Sequence, residues 1–181
     1  MLQIADKPKL CSVSTLGEKI AKIVFDCASA KVTDMIFFRE DFRFKCRRCA
    51  VFCCKLGGPK VSEKDLKRLE AAGYSAEDVL DTTVADRTTQ LTTREKLLKQ
   101  KPDGSCIFLR YNSQDKAYEC AIYDLRPAVC RLYPFEYERT EPNAIVLGFI
   151  PCCNGLDSRD GALVDRKFVE ERLLEAVLDL L

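Results

Sequence analysis

Four cysteines fall within nine residues, in the run Cys46-Arg-Arg-Cys49-Ala-Val-Phe-Cys53-Cys54. A Cys-x-x-Cys pair can fold its backbone into a tight knuckle that aims both sulfurs at one metal, with zinc–sulfur bonds of about 2.3 Å. The adjacent pair Cys53-Cys54 differs, because neighbouring side chains diverge. The two are expected to serve different sites, or one of them is spare. Cys106, Cys120, Cys130 and the pair Cys152-Cys153 follow, each beside a turn or an element end. Counting one of the final pair, the candidate metal ligands are Cys46, Cys49, Cys53, Cys54, Cys106, Cys120, Cys130 and Cys153. Eight thiols suit two tetrathiolate sites, or one cluster and a second centre.

Eleven cysteines and no histidine occur among 181 residues. The missing histidine excludes Cys/His zinc fingers, His-based iron triads and any Cys-His catalytic dyad. A site built here must be thiolate-dominated, and soft sulfur favours iron–sulfur clusters, zinc or copper(I). With 47% apolar residues, a chain this long can bury a real core without disulfides. The first residues show no apolar signal segment, and the longest mainly apolar run, residues 144–153, is about half of a membrane helix. A soluble, cytoplasmic protein with reduced thiols is therefore expected. Cys11 and Cys27 read as small buried apolar residues. The net charge of +1 predicts neither a nucleic-acid partner nor a membrane; the expected partners are the metal ion or cluster and, as an open possibility, another protein.

Cations are interleaved with the thiols: Lys45, Arg47, Arg48, Lys55, Arg126 and Arg131. They would favour thiolate and offset a cluster's negative charge. The plainer reading is a solvated basic face. Arg126 and Arg131 could also hold a phosphate or carboxylate bidentately, with Asp124 or Glu119 as possible structural partners.

The elements that must position these residues are short. Leu16, Ile20, Ile23 and Cys27 share a helical stripe over residues 15–30. Strands are expected at 34–38 and 42–45. Ser62 caps a helix that stops near Gly73, and Ser75 caps another over 76–81. Residues 95–100 read as strand, and 106–111 with 119–123 as arms of a hairpin around 112–116. Pro127 should open a helical turn carrying Cys130. Residues 143–150 form a buried strand, and an amphipathic helix runs from about Val164 to Leu180. The expected class is α+β: a small mixed domain organised around a cysteine-ligated metal site, with the C-terminal helix packed across the sheet. Residues 1–41 lead in, 42–156 form the metal-binding domain, and 157–181 add the C-terminal helix.

The pattern resembles the CxxCxxCC cysteine-cluster family (YkgJ-like), described as zinc- or iron-chelating. The resemblance covers roughly residues 42–156. It rests on Phe44-Lys-Cys-Arg-Arg-Cys, Cys53-Cys54, Val61-Ser-Glu-Lys-Asp-Leu, Gly104-Ser-Cys-Ile-Phe-Leu, the segment Cys120-Ala-Ile-Tyr-Asp-Leu-Arg-Pro-Ala-Val-Cys-Arg-Leu-Tyr-Pro-Phe, and Cys153-Asn-Gly. It implies that the eight candidates are the family's cysteines. The family has two residues between its second and third cysteines, with glycine just after the second; here three intervene, Ala50-Val-Phe, without glycine, so the loop must bulge. Cys152-Cys153 replaces a single cysteine. Some longer relatives are flagellin lysine N-methylases thought to use an iron–sulfur cluster and S-adenosylmethionine, but the CxxxCxxC motif of radical enzymes is absent here.

The reading is a metal-binding protein with Cys-ligated iron, foremost as an iron–sulfur cluster, or zinc, acting in electron transfer, metal handling or redox modification. Its rival is a zinc-stapled interaction module without catalysis. Methylase-like chemistry rests on the resemblance alone, and no catalytic residue is assigned.

Overall fold

The computed structural model describes residues 18–26, 29, 31–50, 53–55, 57–81 and 96–181. In chain order these form β1 (Lys19–Phe25), β2 (Val32–Phe37), β3 (Arg43–Phe44), α1 (Glu63–Ala71), α2 (Ala76–Val79), β4 (Leu80–Asp81), β5 (Leu97–Leu98), β6 (Leu109–Asn112) and β7 (Ala117–Cys120). A 3-10 turn at Tyr123–Leu125 leads to α3 (Ala128–Leu132), β8 (Phe135–Glu141), β9 (Ala144–Phe149) and β10 (Ala162–Leu163). The chain closes with α4 (Arg166–Phe168), a π-helical turn at Val169–Leu173, and α5 (Leu174–Leu180). The class is mixed α+β.

The main sheet runs β2-β1-β9-β8, antiparallel throughout. β9 is apolar along its length and buried at every residue, as a central strand must be. β1 corrects the helix expected over 15–30 within the described residues. Ala21, Ile23 and Phe25 alternate toward the core, and β-branched Ile20, Ile23 and Val24 suit the pleat better than a helix. The Leu16 and Cys27 ends of that expected stripe lie outside the described residues. β8 was not expected at all. Its glutamates and Arg139 mask an edge strand that pairs with β9 from Phe135↔Phe149 to Glu141↔Ala144, closed by the Pro142-Asn143 turn.

The α1 expectation holds in detail. Ser62 Oγ accepts from Asp65 N–H at 3.1 Å, while the Asp65 carboxylate accepts from Ser62 N–H at 3.0 Å, a reciprocal capping box. Gly73, at φ +91°, ends the turn beyond.

Two cores result among the described residues. One joins the sheet to Phe42, to Ala128 and Leu132 of α3, and to Phe168, Val169, Leu173, Ala176 and Val177 of the C-terminal helical run. Phe42 is fully buried and stacks on Phe149 with ring centroids 4.8 Å apart. The smaller core gathers α1, α2, β4, β5 and the approach to the β6–β7 hairpin, and it includes Cys106.

Candidate metal centre

Two backbone contacts draw the cysteine-bearing segments together. In the first, β3 delivers Lys45, whose N–H donates to the Gly155 carbonyl at 3.0 Å. A Cβ on Gly155 would stand 2.3 Å from the Lys45 carbonyl oxygen, so only glycine permits this approach. It brings the segment of Cys153 against that of Cys46, and the Phe44↔Leu156 bridge and the β3–β10 ladder extend it. In the second, Cys106 N–H donates to the Cys54 carbonyl at 2.8 Å. Beside it, Gly58 packs on β5 so closely that a Cβ would collide with the Leu98 carbonyl at 1.6 Å.

The hairpin and α3 complete the second group. Cys120 ends β7 opposite Leu109, and Cys130 sits in the middle of α3. Around Cys49 the chain bends sharply: Arg48 and Ala50 have φ of +51° and +57°, left-handed values uncommon without glycine. Ala50 holds this conformation at the position where glycine is usual in the family pattern.

Cys53 and Cys54 do not diverge as expected. Their sulfurs lie 3.7 Å apart, with the Cys54 thiol donating to Cys53. That hydrogen bond lowers the Cys53 pKa to about 7, aided to a lesser degree by the Arg126 charge, and raises that of Cys54. Burial pushes Cys130 up to about 12, reinforced by the nearby Cys106, Cys120 and Cys53. Burial, then Cys120, raises Cys106. Cys120 is raised first by burial and then by Cys53. Cys153 is raised by burial and by Cys49, Cys46 and Cys53. The thiols that raise one another fall into two sets that share Cys53: Cys46 and Cys49 act on Cys153, and Cys106 and Cys120 act on Cys130.

All eight sequence candidates are free thiols. Cys152 is disulfide-bonded, an oxidised residue in a chain expected to be fully reduced, and Cys153 is left as the free member of its pair. Cys11 and Cys27 lie outside the described residues. Among the described residues, no three His, Cys, Asp or Glu side chains converge closely enough to hold an ion as they stand. The donor chemistry nevertheless fits a soft cation. Ionising several half-buried thiols together is opposed by desolvation and mutual repulsion, and a divalent cation offsets both.

The interleaved cations have protein partners. Lys45 and Arg47 meet Asp160, both at 2.8 Å, and hold its carboxyl down to about 2. Arg48 lies 4.0 Å from Asp115 and 3.9 Å from Glu119. Lys55 caps the Tyr118 ring at 4.2 Å. Arg126 stacks on Tyr123 at 3.9 Å and stays electrostatically coupled to Cys53, Cys120 and Cys130. Arg131 binds carboxylates of its own chain, Glu175 at 2.9 Å and Asp179 at 2.5 Å, rather than Asp124 or Glu119.

Tyr133 was not singled out from sequence, although it stands three residues after Cys130. With Cys53, Cys130 and the loop 57–60 it lines a cleft of about 290 Å³. Burial and the thiols Cys153, Cys53, Cys49 and Cys46 raise its pKa. Its position directly before Pro134, at the end of a cysteine-bearing helix, was the available signal.

Residues 45–146 match the CxxCxxCC family, described as "putative zinc- or iron-chelating domain", and the chain belongs to that family. An uncharacterized protein of Methanocaldococcus jannaschii is 30% identical over 131 residues, covering 69% of this chain; the match spans 64% of that relative's length. No solved structure matches. Among the described residues no helix is long and apolar enough to cross a membrane.

Proposed function

We propose that the protein binds metal through two four-sulfur groups, Cys46, Cys49, Cys53 and Cys153 in one, and Cys54, Cys106, Cys120 and Cys130 in the other. The observation that carries this reading is the pair of backbone contacts, Lys45 to Gly155 and Cys106 to Cys54, which join chain segments far apart in sequence around free thiols. The groups meet at the Cys53–Cys54 contact. Iron, held as an iron–sulfur cluster, is the first assignment, and bound there it would supply one-electron redox chemistry. Redox modification, electron transfer or metal handling then follows.

A second reading is favoured by one observation. Cys106 belongs to a buried core, as expected where closed tetrathiolate zinc staples a fold. In that case the module acts by presenting a surface to a protein partner.

Serine variants test the partition. Cys49→Ser should remove one centre, Cys130→Ser the other, and the double variant all metal, while Cys27→Ser leaves the content intact. Equal loss from every variant, Cys27→Ser included, would refute the assignment.

A further inference from the structure

Asp65 is fully buried, yet it lies outside both sulfur groups. A buried carboxylate is costly unless its oxygens are satisfied, and here both are. One oxygen accepts from the Ser62 N–H at 3.0 Å and from the Ser62 hydroxyl at 2.8 Å. The other accepts from the Arg68 guanidinium and, across 63 residues of sequence, from Ala128 N–H at 3.0 Å. That last contact is unusual in kind. A residue of the first turn of α1 caps α3, the short helix that carries Cys130.

The same acid anchors a wider charge network. Arg68 reaches Asp179 at 3.0 Å, and Arg131, next to Cys130, reaches the same carboxylate. α3 is five residues long and cannot hold its own geometry. Its first N–H and its Arg131 are held from outside, by Asp65 at one end and the C-terminal helix at the other.

We propose that Asp65 is a positioning residue for the second sulfur group, fixing α3 so that Cys130 is presented to Cys54, Cys106 and Cys120. This rests on the metal-binding reading above. Contacts that orient a ligand tune affinity by about ten- to hundred-fold, and Asp65 acts one step behind them, through the Ala128 N–H at the start of the helix that carries Cys130. Asparagine keeps the size of the side chain but has one accepting oxygen in place of two and no charge, so it cannot satisfy Ser62 N–H together with Ala128 N–H and the guanidinium, and the hold on α3 weakens.

The test is cobalt(II) titration of the metal-free full chain, read by thiolate-to-cobalt charge-transfer absorption and by competition with a chelator. Asp65→Asn should bind about ten- to hundred-fold more weakly at one of two sites, with lower charge-transfer intensity per cobalt. Leu147→Ala, in the sheet, controls for lost stability and should keep the wild-type spectrum. If Asp65→Asn fails to fold, Ser62→Ala removes one donor to the carboxylate and should show a smaller loss at the same site. Wild-type affinity and spectrum in the Asp65 and Ser62 variants, or an equal spectral change in Leu147→Ala, would overturn the positioning role alone. A wild-type chain that takes up no cobalt would overturn the metal-binding reading with it.

Discussion

The sheet core and the thiol-bearing core are built from different materials. Among the described residues the first buries seventeen side chains, all hydrocarbon, drawn from β1, Phe42, α3, β8, β9, Val164 and the C-terminal helical run. The second buries nine, one of them Cys106, with Cys54 and Cys120 packed against it. Its strands are two to four residues long, and isolated two-stranded pairs are marginal in water. The sheet can therefore hold itself by burial alone, whereas the other region gains much from a crosslink through its sulfurs. α3 belongs to both, because Ala128 and Leu132 enter the sheet core while Cys130 lines the cleft with Cys53.

Removing the metal should break this comparison most visibly. Structural metal contributes on the order of 10 kcal/mol or more to small thiolate sites, more than any single side chain. Chelation should expose the amides of β6, β7 and α1 to hydrogen exchange while those of β9 keep their protection. Uniform loss of protection would mean that the regions are one cooperative unit.

The reciprocal experiment is Leu147→Ala. Leu147 is fully buried, and its truncation should cost about 2–5 kcal/mol in denaturant unfolding with metal content unchanged. Loss of metal in that variant would show that the sulfur groups depend on the sheet.

Alkali should separate the regions next. Cys130, Cys106, Cys120 and Cys153 have pKa values raised chiefly by burial, so the folded, metal-free protein holds protons that the unfolded chain releases near pH 9. Their contribution is complete below that pH and is lost as pH rises toward about 12, the Cys130 value. Cys53, lowered to about 7, has the opposite sign: its contribution grows from pH 7 to 9, and it is lost as pH falls through 7. Stability of the metal-free chain should therefore fall above pH 9, and bound metal should flatten that fall. An unchanged alkaline limb after metal loading would contradict the shared thiol environment.

The smallest effect belongs to a cap. Asp165 accepts from Phe168 N–H at 2.8 Å and starts the C-terminal helical run. Asp165→Ala should cost about 1 kcal/mol in thermal unfolding, without changing metal content.

Much of this was legible in the residues, for reasons that differ by place. Ser62, Gly73 and Pro127 carry local stereochemistry, so α1 and α3 could be placed from sequence. β1 could not, because Ile20 and Ile23 fit a helical stripe as well as a pleat until β2 and β9 flank them. β8 was hidden because an edge strand keeps its charges. The eight thiols were visible by type and spacing, but their grouping was not. The Lys45–Gly155 and Cys106–Cys54 contacts join residues 110 and 52 positions apart, and nothing in the order of cysteines encodes them. Asp65 was not singled out from the sequence, because its reach to Ala128 is tertiary.

Elemental analysis of anaerobically purified protein, with acid-labile sulfide measured on the same sample, addresses the central claim most directly. The account predicts iron and sulfide in matching amounts, with broad visible absorption that Cys49→Ser and Cys130→Ser each reduce. Zinc without sulfide would move the protein to the stapled-module reading. Freshly purified chain carrying neither metal, with its eight thiols joined in disulfides, would contradict the account.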